Sequence, residues 1–231
     1  MNTLLKIIKP QARVRHAPVF FCILCLLALP AGSARAKDGV IQCANLIFAG
    51  THTSRCFSDE FLSAVQRDTS IATERRFKSV KLTSDELFRY PFVMMTGEDD
   101  FHFMPKEREN LRRYLESGGF VLASAGCSSK AFDRAFRREL AAVFSGARLR
   151  KIPLTHPLFR TVHEIKELRL HHPSPDVNLE GLEMGGKFVV IYSPHGLNDT
   201  THTEGCCCCG GNEITNSLEV NVNILVYALL H

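Results

Sequence analysis

The stretch that decides the fold runs from Phe92 to Cys127, FVMMTGEDDFHFMPKERENLRRYLESGGFVLASAGC. It opens with FVMMTG, a short apolar run ending in glycine, as a strand buried on both faces does. It closes with a second such run, FVLASAG (Phe120–Gly126). Between them Pro105 stands at the first turn of a helix, where its missing N–H costs nothing, and Gly118-Gly119 end that helix. Strand, helix and strand in succession make a βαβ unit, whose crossover forces the two strands to run parallel.

The pattern extends in both directions. NLIFAG (Asn45–Gly50) is another buried run, and Ser58-Asp59-Glu60 then opens a helix FLSAVQRD with acids in its first turn. After Cys127, KAFDRAFRRELAAVF sets Phe132, Phe136, Leu140 and Phe144 on one helical face, which reads as core. KFVVIYS (Lys187–Ser193) is a fourth strand, and NSLEVNVNILVYALL closes the chain as an apolar helix. Strands alternating with helices define an α/β fold with a doubly wound, mostly parallel sheet. The segment from Ala147 to Gly186, with IPLTHPLF and HHPSPD, reads as an irregular proline- and histidine-rich insertion over one sheet edge. Its His156, His163, His171 and His172 read as surface or structural groups.

The first 36 residues follow a different logic. Lys6, Lys9, Arg13 and Arg15 precede the apolar run Val19–Leu29, and Ala34-Arg35-Ala36 supplies small residues at a cleavage point. This is the form of a secretory signal, with cleavage after Ala36. It predicts a periplasmic or secreted protein whose residues 37–231 form one α/β domain, or a membrane-anchored one if the segment is retained. The whole chain has 28 Lys and Arg against 24 Asp and Glu. The signal carries five of the bases and none of the acids, leaving 23 against 24. The remainder is near neutral, so no nucleic-acid partner is implied. No P-loop, GxGxxG or GxSxG is present, so no nucleotide is implied either.

In a parallel α/β sheet, ligands bind outside the carboxyl ends of the strands. The unusual chemistry of this chain follows its strand ends. Thr51-His52-Thr53 comes after the first, Glu98-Asp99-Asp100 with His102 after the second, Cys127-Ser128-Ser129 after the third and His195 to Cys209 after the fourth. Parallel strands would gather all four segments on one rim.

Several motifs taken in order carry a resemblance: DELFRYPFVMMTGEDDFHF, ENLRRYLESGGFVLASAGC, FDRAFRREL, LTHPLF, VVIYSPHGL and the terminal NVNILVYALLH. Together they resemble the bacterial family catalogued as domain of unknown function 4159, over roughly Cys43 to His231. That family is similar to the flavodoxin-like superfamily that includes class I glutamine amidotransferases. The resemblance implies a flavodoxin-like sheet. It also implies a cell-envelope partner, since some members are encoded near MoxR-type ATPases and von Willebrand factor A proteins. It brings no catalytic residue. Where many relatives have a GHG turn after the second strand, this chain has Gly97-Glu98-Asp99.

Three readings of the rim follow. In the first, alternate members of the run Cys206, Cys207, Cys208 and Cys209 join Cys127 and one of His52, His195 or His202. That is a sulfur and nitrogen set suited to zinc or copper. In the second, the run is tied by disulfides, for instance to Cys127 and to Cys43 or Cys56, as export allows. In the third, Cys127 is a nucleophile at a strand-to-helix turn, with His195 as base and Glu98 or Asp99 as its orienting acid. Ser129 stands where such an elbow normally needs glycine. The acidic turn 98–100 could bind a hard cation, act as acid and base, or cap the following helix. The first hypothesis is therefore an exported binding or interaction module with a Cys/His cluster on its rim. The alternative is a cysteine- or metal-dependent hydrolase or amidase. A weaker third is a thiol redox protein using vicinal cysteines.

Overall fold

A computed structural model describes residues 39–49, 52–53, 57–146, 148–198 and 212–231, with backbone alone at 52 and 53. Its strands are β1 (Cys43–Phe48), β2 (His52–Thr53), β3 (Lys78–Lys81), β4 (Phe92–Gly97), β5 (Phe120–Ala125), β6 (Arg150–Ile152), β7 (Leu179–Met184) and β8 (Lys187–Ser193). Its α-helices are α1 (Glu60–Asp68), α2 (Pro105–Glu116), α3 (Lys130–Val143) and α4 (Ser217–Leu230). One sheet holds every strand, in the order β2-β1-β4-β5-β8-β7-β6, with β3 also paired to β1.

The four strands legible in the sequence form its centre. β1, β4, β5 and β8 are successive parallel neighbours, and β3 joins β1 in parallel. β4 and β5 are almost wholly buried because helices cover both faces. On one face α2 and α3 pack Leu111, Tyr114, Phe132, Phe136 and Leu140 against Phe48, Met95 and Tyr192. On the other, α1 and α4 pack Phe61, Leu62, Val222 and Leu225 against Phe92, Leu122 and Ile191. Phe132 and Phe136 are core, as their helical spacing implies, while Phe144 is half-buried at the end of α3.

The expected irregular insertion is corrected by β6 and β7. β7 extends the sheet antiparallel to β8, and β6 antiparallel to β7, so both ends of the segment contribute to the sheet. β7 reads LEGLEM, and its Gly181 lets the Phe188 ring of β8 lie against bare backbone. The rest of the insertion is irregular chain fastened to α4. Asn223 accepts from the Val162 and His163 N–H groups at 3.0 and 2.8 Å and donates to His163 O at 2.8 Å. Asn216 does the same for Arg169 N–H and Glu167 O, both at 3.0 Å. α4 is therefore apolar on most of its surface, with asparagines where it meets chain that has no ladder of its own. No helix among the described residues is long and apolar enough to cross a membrane.

Candidate functional site

Parallel pairing places the ends of β1, β4, β5 and β8 on one rim, and the turns there are tightly built. β5 ends in Gly126, and Cys127 then adopts φ 49°, ψ 31°, followed by Ser128 at φ 53°. The other non-glycine residue with positive φ among those described is Ala49, at φ 46°, directly after β1. Left-handed backbone costs a side-chain-bearing residue about 1–2 kcal/mol, so surrounding bonds must impose it.

Those bonds come from the neighbouring strand ends. The Cys127 N–H donates to Glu213 Oε1 at 2.9 Å. The Ser128 hydroxyl donates to His195 O at 2.8 Å, and the Ser129 hydroxyl donates to Glu98 O. Ser129 also caps α3 by accepting from Phe132 N–H at 3.3 Å. The Cys127 thiol lies 3.5 Å from Glu98 Oε1. Gly196, at φ +91°, lets Glu213 in: a Cβ there would stand 2.8 Å from Ala125 O, Glu213 Cγ and Glu213 Oε1. Glu213 is only 7% exposed, so its carboxylate is a buried acceptor for the strained turn.

Beneath the rim, on the α1 and α4 face, three adjacent strands put hydroxyls at one register level. Thr96 pairs with Ser124, and Ser124 with Ser193, and all three are buried. Ser124 donates to Asn198 Oδ1 at 2.7 Å and accepts from Leu197 N–H at 2.8 Å. Asn198 O in turn accepts from Ser58 N–H at 2.9 Å, at the start of α1. On the far side of the cysteine run, Asn212 exchanges two bonds with the His172 backbone, at 2.8 and 2.6 Å. Both ends of the 199–211 segment are thus fixed beside Gly126 and Cys127.

Of the residues singled out from sequence, the rim brings together Glu98, Cys127 and the backbone of His195. The His195 imidazole is half-buried, and its Nδ1 has no hydrogen-bond partner among the described residues. Burial, with Lys130 nearby, lowers its pKa from the ordinary histidine value. His52 lies in β2, paired to Phe48, with its side chain outside the description. His202, Cys206, Cys207, Cys208, Cys209 and Cys56 lie outside the described residues. Cys43 is a free thiol, so the disulfide expected for it is not formed in this structure, while the cysteines expected to pair with Cys127 lie outside the described residues. Cys43 is sealed in the core of β1, where burial pushes its pKa up to about 12. Among the described residues, no group of three or more His, Cys, Asp or Glu side chains is placed to hold a metal ion.

The acidic turn does not cap α2. The Met104 N–H donates to Glu107 Oε2 at 2.8 Å, which closes that helix start from within. Asp100 instead meets Arg138 at 3.0 Å. The buried Glu139 carboxylate gathers His102, Phe103 N–H, Arg108 and Arg138 at 2.8–3.2 Å. The histidines of the insertion are structural where they have partners: His156 accepts from Leu158 N–H, and His163 meets Asp68 at 3.3 Å. Sequence reasoning missed Glu213, Asn198 and the hydroxyl row. The one available signal was position, since Asn198 and Glu213 flank the cysteine-rich stretch.

The fold and rim define an α/β domain with a mixed sheet, parallel at its centre, whose strand-end turns are strained and cross-braced by buried carboxylate and amide groups. The chain belongs to the family described as Domain of unknown function (DUF4159), whose model matches residues 51–229. No curated protein matches it.

Proposed function

We propose that this protein is an exported α/β binding module whose ligand site is the carboxyl-end rim around Cys127. The observation that carries this reading is the placing of strain: Ala49, Cys127 and Ser128 all follow strand ends on that rim. Backbone strain clusters where a protein holds a ligand rather than where it only packs. The parallel strands, taken alone, run β3-β1-β4-β5-β8, which matches the flavodoxin-like order. In that order the switch point falls between β1 and β4, whose following turns hold Ala49 and Glu98. The ligand is proposed to be a zinc or copper ion held by Cys127, alternate cysteines of 206–209 and one of His52, His195 or His202. That loaded rim would present the domain to a cell-envelope protein.

The left-handed turn at Cys127 favours a second reading, a Cys127-centred amidase or hydrolase. Two features weigh against it. The thiol faces Glu98 directly, and a carboxylate there would repel a thiolate. The Cys127 N–H, which an oxyanion would need, is already bonded to Glu213.

Elemental analysis with a free-thiol count on exported protein separates the two. The binding reading expects one zinc or copper per chain, lost in Cys127→Ser. A metal-free protein whose Cys127 alkylates rapidly at neutral pH, and slowly in His195→Ala, overturns it in favour of the hydrolase.

A further inference from the structure

Parallel strands give a sheet two chemically different ends, and in this protein the charges divide between them. At the amino end, Arg75 and Arg76 follow the point where Glu74 N–H bonds Ile41 O, and Lys78 begins β3. Arg112 and Arg113 occupy the last full turn of α2, and Arg148 stands just ahead of β6. All six are exposed, and none is ion-paired to a carboxylate among the described residues. Arg113 lies over the Phe88 ring at 4.9 Å and Arg112 over Phe144 at 5.3 Å, which holds both guanidinium groups in place. The nearby acids are fewer: Glu74 and Glu116 are exposed, Glu86 accepts from the Tyr90 hydroxyl at 3.1 Å, and Asp68 and Glu183 already meet Arg67 and Arg150. The opposite end carries Asp59, Glu60, Glu98, Asp99, Asp100 and Glu213 beside the cations Lys81, Lys106 and Lys130, with Arg138 meeting Asp100.

This polarity is a feature of placement, because residues 37–231 carry nearly equal numbers of acids and bases. One more observation marks the basic end. A groove of about 340 Å³, lined by Ile41, Phe88, Tyr90, Pro91 and Tyr114, opens among its cations.

We propose that the amino end of the sheet is a docking face for anionic lipid headgroups, which turns the carboxyl-end rim away from the bilayer. Cations spread over a whole end suit a planar surface of negative charge better than a single acidic peptide. An apolar groove among them suits an acyl chain beside its headgroup. Lys and Arg near such a surface each add to binding, and the effect fades with salt. The face is separate from the rim, so the failure of either reading leaves the other standing.

The test is flotation of the full chain with phosphatidylcholine vesicles, with and without an equal share of phosphatidylglycerol. The variant Arg75→Gln/Arg76→Gln/Arg112→Gln/Arg113→Gln is compared with Lys81→Gln/Lys106→Gln/Lys130→Gln, which removes cations away from the basic end. Thermal melts confirm that both are folded. The proposal expects the first variant to lose at least about tenfold of the phosphatidylglycerol-dependent partitioning, and the second to keep it. Equal loss in both, or no loss in the first, overturns it. A glutamate-rich peptide that displaces the wild-type chain from the vesicles at low concentration would assign the face to an acidic protein instead.

Discussion

Gly196→Ala tests the construction of the rim most directly. At φ +91° any side chain is strained, by about 1–2 kcal/mol. The new methyl would also stand 2.8 Å from Ala125 O and from two atoms of Glu213. Backbone cannot yield easily, so Glu213 must leave, breaking its 2.9 Å bond to the Cys127 N–H. A hydrogen bond to a charged group is worth about 1.5–3 kcal/mol when its partner is left buried. The total is about 3–5 kcal/mol, a large part of the roughly 5–15 kcal/mol that holds such a domain together. Urea unfolding monitored by circular dichroism reads this directly, and the melting temperature should fall by roughly 10 °C. Glu213→Ala alone loses the bond without the clash. The double variant should therefore be more stable than the sum of the two changes predicts, by about 1 kcal/mol or more. If Gly196→Ala lies within about 0.5 kcal/mol of wild type, or if the two changes simply add, the account of Glu213 as brace for the Cys127 turn is refuted.

Three further outcomes are expected. Burial opposes the charge of Glu139, but Arg108, the Phe103 N–H and Arg138 outweigh it and hold the carboxyl below the usual glutamate range. Its stabilisation is therefore complete above the ordinary carboxylate value and is lost as pH falls through the lowered folded one. Glu139→Gln should cost about 1.5–3 kcal/mol at neutral pH and flatten the acid limb of a stability–pH curve; the cost is not larger because its arginines are partly solvated. Phe132→Ala, which empties a fully buried site between Phe48, Phe101 and Phe136, should cost about 3–5 kcal/mol in the same urea assay. Iodoacetamide on native protein at neutral pH should spare Cys43, whose thiol is sealed and pushed up to about 12, as peptide mapping would show; its modification at a rate near that of the unfolded chain would refute the burial.

The centre of the fold was legible because its strands are buried on both faces and so appear as unbroken apolar runs. β4 begins and ends where FVMMTG does, and β8 where KFVVIYS does. β3 was not legible, since KSVK buries only Val80 and an edge strand needs no more. β6, RKI, is too short to carry a period, and β7 sits in a stretch whose prolines and histidines dominate its composition. At the rim, the sequence placed Glu98, Cys127 and His195 after strand ends. It could not show that the Cys127 backbone is left-handed, because cysteine has no preference for that region. Nor could it show Glu213 as a brace, since a glutamate twenty residues beyond the end of β8 looks like any solvated acid. Its role depends on Gly196, and that coupling is visible only in three dimensions.

The asparagines of α4 have a consequence for how this chain can change. Asn216 and Asn223 grip the segment 162–169 only by its main-chain N–H and C=O groups. Such a grip is blind to what side chains the segment carries, and attentive to how many residues it contains. Substitutions at Glu164, Lys166 or Glu167 leave every one of those bonds in place. A one-residue insertion between Val162 and Arg169 would put one amide clamp out of step with the other. The surface beside α4 is thus free to vary in chemistry while held to a fixed length. It can acquire a new charge pattern without disturbing the sheet beneath.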